Sequence, residues 1–279
     1  MCGCDYMDLN SKLEKLLNFI RSFKSVVIAF SGGVDSSTLA ALCAKELSKV
    51  VAVTVVSPIT PSREIENAKK AAKEIGIKHE FIEVNPLEDP NFVRNTLDRC
   101  YYCKRNLIKS LIDFGERRGY SVIFEGTNVD ELKEHRPGYK AVKSFENVYS
   151  PWAKFGFRKD EIRAIAKEMG FSFYNKQPLA CLATRIPYGV EIDGKKLKMV
   201  DEAENAILDV VELSQIRVRN LNNVAVIEVE RDEIEKFFDV NVISKIVEEL
   251  KKVGFKQVLI DLEGYKSGKL SYHSDNVKP

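Results

Sequence analysis

Residues 31–37, Ser-Gly-Gly-Val-Asp-Ser-Ser, constrain the fold of this chain more than any other stretch. They follow the apolar, β-rich run 25–30 and lead into residues 39–47, where leucines recur at helical spacing. The stretch therefore predicts a strand, a tight glycine turn and a helix. In that arrangement the first N–H groups of the helix and its dipole favour a bound anion, which the glycines let the backbone approach closely.

The polar side chains of this turn add to the predicted anion site. Its serines offer hydroxyl donors, and Asp35 can hold a metal bound to phosphates. The spacing fits neither a Walker nucleotide-binding loop nor a dinucleotide-binding turn. It resembles the phosphate loop of the PP-loop ATP pyrophosphatases, which implies that ATP is split between its α- and β-phosphates. The expected ATP contacts in the turn are Ser31, Gly32, Gly33, Asp35, Ser36 and Ser37.

Strand and helix patterns alternate through the first part of the chain. Apolar, β-rich runs at 50–56, 81–84 and 121–125 are separated by helical patterns, as in a parallel sheet with right-handed crossovers. Ligands bind beyond the carboxyl ends of such strands. Residues 126–128, Gly-Thr-Asn, are therefore expected to face the same site as the glycine turn. The helices expected here lie at 8–23, 61–75 and 100–118.

The pattern changes after about residue 178. The elements expected there are a long amphipathic helix at 194–211, hairpin strands at 215–219 and 225–229, a helix at 231–253 and a strand at 257–262. The predicted fold is therefore α/β. We expect a parallel-sheet domain of the PP-loop (adenine nucleotide alpha hydrolase-like) type over residues 1–180. A smaller α+β domain for substrate binding and oligomerisation is expected over residues 181–279.

Composition excludes several classes of protein. The net charge is only +2, so no general polyanion-binding surface is expected, and nucleic acid is not an expected partner. The chain has no apolar run long enough for a transmembrane helix. Its first residues have no signal-peptide pattern, so a cytoplasmic location is expected. Six cysteines spread over 279 residues do not indicate a disulfide framework.

Cys100 and Cys103 lie one helical turn apart at the start of a predicted helix, beside basic residues. That setting favours thiolates, which suit zinc or an iron–sulfur cluster, although two ligands are too few. Cys181 is the third candidate. Three thiolates would leave one iron of a 4Fe-4S cluster free for a substrate or an extra sulfide. The alternative is that Cys100 and Cys103 are buried core cysteines; Cys43 is assigned to the core.

Two further polar clusters are candidates for binding. After the 121–125 strand, Thr127 is expected to join the ATP site, Asp130 can bind Mg²⁺, and Arg136 can bind phosphate bidentately. The alternative for this segment is a solvated loop. Arg217 and Arg219 share one face of a predicted strand and can clamp a phosphate monoester. For an isolated arginine pair, a solvated face is the favoured alternative.

Taken together, these stretches resemble the LarE family, the ATP-dependent sulfur transferases of nickel-pincer nucleotide biosynthesis. The resemblance implies that a carboxylate of pyridinium-3,5-biscarboxylic acid mononucleotide is adenylylated with release of pyrophosphate. A sulfur nucleophile then displaces AMP and leaves a thiocarboxylate. The resemblance is carried by residues 31–37, 99–104, 125–128, 136–138, 156–163, 180–189, 216–219 and 262–268.

The resemblance also implies the source of sulfur. In one kind of family member the cysteine matching Cys181 gives up its own sulfur and becomes dehydroalanine. In the other kind three cysteines hold a 4Fe-4S cluster that carries a transferable sulfide. This chain has Cys100, Cys103 and Cys181 together, so it resembles the cluster kind.

The remaining site residues are implied in the same way. Arg217 and Arg219 match the arginines that bind the substrate phosphate in the family. The third basic residue of that site is usually arginine, and here it is Lys266. Asp35 and Asp130 are the expected Mg²⁺ ligands, and Glu131 stands where aspartate is common. A homo-oligomer with a small nucleotide substrate is expected.

Three alternatives remain open at this point. One is a PP-loop tRNA thiolase that uses a three-cysteine iron–sulfur cluster, which the near-neutral charge disfavours. Another is an amidotransferase-type PP-loop synthetase, which the lack of a glutaminase domain disfavours. The last is a non-catalytic adenine-nucleotide-binding module, which the presence of Asp35 and the cysteines disfavours.

Overall fold

A computed structural model describes residues 9–132 and 137–266, and the chain forms two compact units. The first unit comprises Met1–Ser57, Arg63–Val84 and Cys100–Pro178. The second comprises Pro58–Ser62, Asn85–Arg99 and Leu179–Pro279. The division of the chain into domains at residues 1–180 and 181–279 stays a prediction.

The elements of both units are numbered in chain order. The helices are α1 (Leu9–Arg21), α2 (Val34–Glu46), α3 (Ser62–Ile75), α4 (Pro90–Val93), α5 (Arg99–Arg117), α6 (Val129–Leu132), α7 (Pro137–Val142), α8 (Pro151–Lys154), α9 (Lys159–Glu168), α10 (Gly194–Leu208) and α11 (Val240–Val253). The strands are β1 (Val26–Ala29), β2 (Val50–Val56), β3 (His79–Glu83), β4 (Val122–Phe124), β5 (Val148–Tyr149), β6 (Ile216–Leu221), β7 (Val224–Val229) and β8 (Gln257–Ile260).

Within the described residues, the first unit contains a five-stranded parallel sheet in the order β3-β2-β1-β4-β5. The central strand β1 is apolar throughout because helices cover both of its faces. Ile28 belongs to one core cluster with Leu16 of α1 and Leu39 of α2. Val27 belongs to the cluster on the other face, with Leu111 of α5. The predicted parallel α/β fold is confirmed.

The register of this sheet brings two loops together. Ile28 of β1 pairs with Phe124 of β4, so the carboxyl ends of these neighbouring strands lie side by side. The glycine turn follows β1, and residues 126–128 follow β4. Gly126 approaches so closely that an added Cβ would lie 3.1 Å from Ser36 N. The short elements α6, α7, β5 and α8 after this loop had no clear sequence pattern.

The second unit contains a three-stranded sheet in the order β6-β7-β8, with the first pair antiparallel and the second parallel. Asn222 and Asn223 form the hairpin turn with φ of 53° and 65°, left-handed values that asparagine tolerates. Helices α10 and α11 pack on one face of the sheet through Ile207 and Leu250, among others. The predicted hairpin, the α10 helix and the final strand are confirmed, with boundaries that differ by a few residues.

The prediction of one continuous helix at 231–253 is wrong. Arg231–Phe237 is a 3₁₀ helix, and α11 begins separately at Val240. Asp239 starts the new helix because its carboxylate accepts hydrogen bonds from the main-chain N–H groups of Asn241 and Val242. The helical spacing of apolar residues continued across this break and hid it.

Two segments from early in the chain belong to the second unit. Leu182 N donates to Ile59 O at 2.8 Å, and Ile192 N donates to Val93 O at 3.0 Å. Asn95 is fully buried, and its side-chain amide donates at 2.7 Å to both Pro187 O and Val190 O. Nothing in the alternation of strands and helices predicts these returns. Among the described residues, no helix has the length and apolar character needed to cross a membrane.

Candidate active site

The glycine turn between β1 and α2 is shaped by a close approach to α3. Gly32 has φ of 71°, and a Cβ at this position would lie 2.5 Å from Ala68 Cα. Only glycine fits there without moving α3. Gly33 precedes the first residue of α2 in an extended conformation, with φ of −79°. The amino end of this thirteen-residue helix therefore lies at the end of the sheet, where its N–H groups and dipole attract an anion.

Serine hydroxyls hold the turn in shape. Ser36 Oγ accepts from Ser31 N at 3.2 Å and donates to Gly33 O at 3.3 Å. Ser31 Oγ accepts from Gly33 N at 3.3 Å. Ser37 is fully buried, and its hydroxyl finds no hydrogen-bond partner within the described residues. Ser31 and Ser36 therefore order the predicted phosphate loop, whereas Ser37 points into the interior.

Asp35 lies in the first turn of α2, with its side chain 18% exposed. Its carboxylate forms an ion pair with Lys159 and accepts from Asn128 Nδ2 at 3.1 Å. The buried Trp152 indole donates to Asp35 O at 3.0 Å, which fixes the backbone. Lys159 N also donates to Asp130 Oδ2 at 2.9 Å. The two carboxylates expected to bind Mg²⁺ thus contact the same lysine, and their oxygens are ligands that Mg²⁺ prefers.

Thr127 is held by a buried carboxylate. Glu125 is 3% exposed, and it accepts from Thr127 Oγ1 at 2.7 Å and from Thr127 N at 3.2 Å. Ser150 and Lys104 also donate to Glu125, the latter at 3.2 Å. Glu125 would therefore compete with ATP for the hydroxyl and the main-chain N–H of Thr127. Arg136, expected to bind phosphate, lies outside the described residues.

Lys176 is a basic group at the turn that the sequence did not single out. Its Nζ donates to Gly32 O at 3.0 Å. The Arg163 guanidinium fixes the main chain of this segment through Tyr174 O at 2.8 Å and Lys176 O at 2.9 Å. The pKa of Lys176 is lowered to about 8, mainly by burial; the charge of Glu64 opposes this shift and the charge of Lys70 adds to it. No periodic pattern marks this lysine in the sequence.

Lys159 is the other residue that sequence analysis missed, although a signal existed. It is the first residue of α9, where the helix dipole disfavours a cation. A lysine in that position needs a local anion, and Asp35 supplies one. The conflict between residue type and position was the signal.

The cysteines differ in their environments. Cys100 is exposed and Cys103 is partly buried, and the two lie one turn apart at the start of α5. Exposure excludes a core role for Cys100. Cys43 is fully buried, and burial raises the pKa of its thiol, as expected for a core residue. Cys2 and Cys4 lie outside the described residues.

Cys181 is anchored through its carbonyl group. Cys181 O accepts from Thr184 Oγ1 at 2.8 Å and from Arg185 Nη1 at 3.0 Å. Arg185 is itself fully buried and forms a bidentate ion pair with Glu204, at 2.8 and 3.0 Å. Glu204 also accepts from Val218 N at 3.1 Å, which ties the segment to β6. Among the described residues, no group of three or more His, Cys, Asp or Glu side chains is arranged around a metal site.

The two arginines of β6 are buried, so the favoured alternative of a solvated face is wrong. Arg217 is 2% exposed and Arg219 is 6% exposed. Arg219 pairs with Glu228 at 2.7 Å and donates to Thr184 O at 2.6 Å. Burial, and then the charge of Arg185, lowers the pKa of Arg217 to about 10. Lys266, by contrast, is exposed and pairs with Glu263 at 3.5 Å.

Comparison with known proteins places these features in context. A family model described as NAD synthase matches residues 7–99. An uncharacterized protein of Synechocystis sp. is 38% identical over 94% of this chain and 98% of its own length. One from Methanocaldococcus jannaschii is 35% identical over 92% of this chain and 98% of its own. The pyridinium-3,5-bisthiocarboxylic acid mononucleotide synthase of Lactiplantibacillus plantarum is 29% identical over 94% of this chain and 95% of its own.

Proposed function

Because this chain belongs to the LarE family of PP-loop proteins, we propose that it is an ATP-dependent sulfur transferase of nickel-pincer nucleotide biosynthesis. The observation that carries the proposal is the similarity to the L. plantarum synthase, which extends over both units. The substrate is pyridinium-3,5-biscarboxylic acid mononucleotide. The products are its thiocarboxylate, AMP and pyrophosphate.

The first step is adenylylation of a substrate carboxylate. A carboxylate oxygen attacks the α-phosphorus of ATP, the bond to the bridging oxygen breaks, and pyrophosphate leaves with the electron pair. The glycine turn binds the phosphates through the N–H groups at the start of α2. Lys176, which contacts Gly32 O, supplies a positive charge at the same loop. A Mg²⁺ ion held by Asp35 and Asp130 would offset the charge of the leaving pyrophosphate.

The second step is sulfur transfer. A sulfur nucleophile attacks the acyl carbon of the adenylate, and AMP leaves. We propose that Cys100, Cys103 and Cys181 serve this step. The support is that all three lie outside the buried core, unlike Cys43, and that Cys100 is exposed. Three thiolates suit a 4Fe-4S cluster, which would supply a transferable sulfide. Without such a cluster, Cys181 itself would supply the sulfur and become dehydroalanine.

The substrate phosphate is proposed to bind at the buried arginines of the second unit. Arg185, Arg217 and Arg219 are all less than a tenth exposed, and the carboxylates among them are Glu204 and Glu228. A guanidinium group offers several N–H donors in a planar arrangement that matches a phosphate, so buried arginines on one strand suit a phosphate monoester. Arg217 and Arg219 are the proposed phosphate ligands, with Lys266 as the third, and Arg185 lies beside them.

We propose that the protein is a homo-oligomer. Three apolar side chains of the second unit, Phe238, Val240 and Leu262, are 66 to 73% exposed. Exposed apolar groups of this size favour association when they form a patch. Light scattering after size-exclusion chromatography tests the proposal, and a monomer at all concentrations would contradict it.

The products of ATP turnover test the proposed activation step. With the biscarboxylic acid mononucleotide present, ATP is expected to yield AMP and pyrophosphate. Asp35→Asn should abolish pyrophosphate release. Asp160→Asn is the matched control, because Asp160 is exposed and pairs only with Arg158 among the contacts described. Release of ADP and phosphate, or no release with this acceptor, would refute the proposal.

The sulfur source is tested by anaerobic iron and sulfide analysis with visible and EPR spectra. A cluster on all three cysteines is expected to be lost or degraded in Cys100→Ala, Cys103→Ala and Cys181→Ala, and kept in Cys43→Ala. Iron-free protein that thiolates its substrate once points instead to the sacrificial mechanism. In that case mass spectrometry would show that Cys181 has lost its sulfur.

A further inference from the structure

Lys159 contacts both carboxylates that are proposed to bind Mg²⁺. Its ammonium group forms an ion pair with Asp35 Oδ2, and its main-chain N–H donates to Asp130 Oδ2 at 2.9 Å. The other oxygen of Asp35 accepts from Asn128 Nδ2 at 3.1 Å. Asp35 is therefore neutralised by a cation of the chain itself.

The position of Lys159 at the start of a helix makes its ammonium group depend on the negative charge of Asp35. Lys159 is the first residue of α9, and a cation at a helix amino terminus is opposed by the dipole. The anionic cap of this helix is already used, because Glu161 accepts from Arg158 N at 2.8 Å. The favourable interaction that offsets the dipole is the ion pair with Asp35.

A metal ion and this ammonium group compete for the same oxygen. Lys159 occupies Asp35 Oδ2, so a divalent cation coordinated there would face a positive charge within hydrogen-bonding distance. Metal binding to Asp35 therefore requires the lysine side chain to move. The main-chain bond to Asp130 does not involve the side chain and can persist.

We propose that Lys159 is the internal counterion of Asp35 and that Mg²⁺ bound to ATP displaces it. This inference rests on the proposed function, which places ATP at the glycine turn. The displaced ammonium group remains at the amino end of α9 and pairs with a phosphate oxygen of the nucleotide. Asp35 thus binds the metal in place of Lys159, and Lys159 binds a phosphate in place of Asp35.

The exchange couples metal and nucleotide binding. Without nucleotide, the metal must compete with the ammonium group of Lys159 for Asp35. With nucleotide, the lysine gains a phosphate, so the metal binds more readily. By reciprocity, the metal strengthens nucleotide binding by the same factor. Lys159 would thereby keep Asp35 from holding a metal before ATP arrives.

Binding of Mn²⁺ to the nucleotide-free protein, followed by EPR, tests the inference independently of activity. Lys159→Met removes the charge while keeping the length of the side chain. It is expected to increase Mn²⁺ affinity about tenfold, since one repelling charge is lost. Adding Asp35→Asn should abolish the gain. Lys159→Arg should bind Mn²⁺ like the wild type, and so should the control Lys154→Met, because Lys154 lies over the Phe19 ring.

Three outcomes would overturn the inference. Unchanged or weaker Mn²⁺ binding in Lys159→Met would make Lys159 a structural tie only. A gain that survives Asp35→Asn would place the metal elsewhere. If Lys159→Met does not fold, the wild type with 13C-labelled lysines decides, the Lys159 signal being assigned with Lys159→Arg. In that spectrum a Lys159 signal unmoved by Mg²⁺ and ATP refutes the exchange.

The pyrophosphate assay separates the two claims. If Lys159→Met gains Mn²⁺ affinity through Asp35 but the wild type releases no pyrophosphate, the proposed reaction fails and the counterion role stands. If pyrophosphate is released normally while Mn²⁺ affinity is unchanged, the reaction stands and the counterion role fails.

Discussion

At the scale of single residues, two lysines reach the candidate active site from the segment that follows β5. Lys159 neutralises Asp35, and Lys176 contacts Gly32 O at 3.0 Å. Both lie beyond the glycine turn in sequence by more than a hundred positions. The turn itself therefore identifies the anion site but not the cations around it.

Lys176 makes stability depend on pH in a defined window. Burial lowers the pKa of Lys176 to about 8 from its ordinary value of 10.5. Between these two values the unfolded chain keeps a proton that the folded protein has lost, so stability rises with pH there. The free energy of unfolding of the wild type relative to Lys176→Met is therefore expected to rise between about pH 7.5 and 9.5 in urea titrations.

The control for this prediction is Lys73→Met, since Lys73 is an exposed lysine of α3. The difference between the wild type and this variant should stay constant over the same pH range. A constant difference for Lys176→Met as well would show that the ammonium group of Lys176 is not buried.

The ion pair that anchors Cys181 should be costly to break. Glu204→Gln removes the carboxylate that pairs with the fully buried Arg185 guanidinium within residues 9–132 and 137–266. Breaking a buried pair in this way destabilises a protein by about 3–5 kcal/mol. Glu202→Gln on the same helix is the matched control, because its pair with Lys198 is exposed and contributes about 0–1 kcal/mol.

Chemical denaturation of the two glutamate variants measures the difference in their free energies of unfolding. If Glu204→Gln unfolds at the same denaturant concentration as Glu202→Gln, Arg185 is not held as described. Faster alkylation of Cys181 in Glu204→Gln is a second expected sign, because its carbonyl loses a fixed donor.

At the scale of elements, the turn between β1 and α2 depends on one glycine more than the other. Gly32→Ala places a Cβ 2.5 Å from Ala68 Cα and forces φ of 71° on an alanine. The backbone conformation alone costs about 1–2 kcal/mol, and α3 must also move. Gly32→Ala is therefore expected to lower stability by more than that amount and to weaken ATP binding.

Gly33→Ala is the matched control for this prediction. An added Cβ there meets only Ser31 Oγ, at 3.3 Å, and φ of −79° suits alanine. Thermal unfolding compares the stability of the two variants, and nucleotide titration of Gly32→Ala measures its loss of ATP binding. Equal effects at both positions would show that the approach of α3 does not limit the turn.

Local patterns predicted the elements that are long and regular. The strand β2 and the helices α2 and α10 could be predicted because their residue types repeat with the period of the element. The three residues of β4 were predicted from their apolar run, whereas β5 and α8, of two and four residues, have no such pattern and were not predicted. The break at Asp239 was missed because apolar spacing continued on both sides of the cap.

At the scale of the whole molecule, the parallel sheet and the meeting of the two loops followed from general rules of parallel sheets, whereas the order of the strands was not predicted. The return of Asn85–Arg99 to the second unit did not. It depends on the buried amide of Asn95, whose partners are main-chain carbonyls near residue 190. Main-chain partners carry no residue identity, so no sequence pattern records them. The environments of Arg217 and Arg219 were hidden for a similar reason, since burial of the strand depends on distant segments.

Asn95 is expected to hold the segment after Cys181 in place. Asn95→Gly keeps a residue that tolerates φ of 55° but removes the side-chain hydrogen bonds. Loss of hydrogen bonds to buried carbonyls costs about 1–3 kcal/mol. Hydrogen exchange should become faster at the amides of Gly189 and Ile192, which bond to this segment.

The matched control for Asn95→Gly is Asn91→Gly, at an exposed position of the neighbouring helix α4. Its effect on exchange at Gly189 and Ile192 should be small. Unchanged exchange in Asn95→Gly would show that main-chain bonds alone hold the segment.

The bond between Leu182 N and Ile59 O has a consequence for biosynthesis. Ile59 leaves the ribosome more than a hundred residues before its partner is made. During that interval, Pro58–Ser62 and Asn85–Arg99 have been synthesised, but the residues of the second unit that they bond to have not. The second unit can mature only after most of the message has been read. Slowed elongation within codons 60–180 should therefore lengthen the window in which chaperones bind the nascent chain.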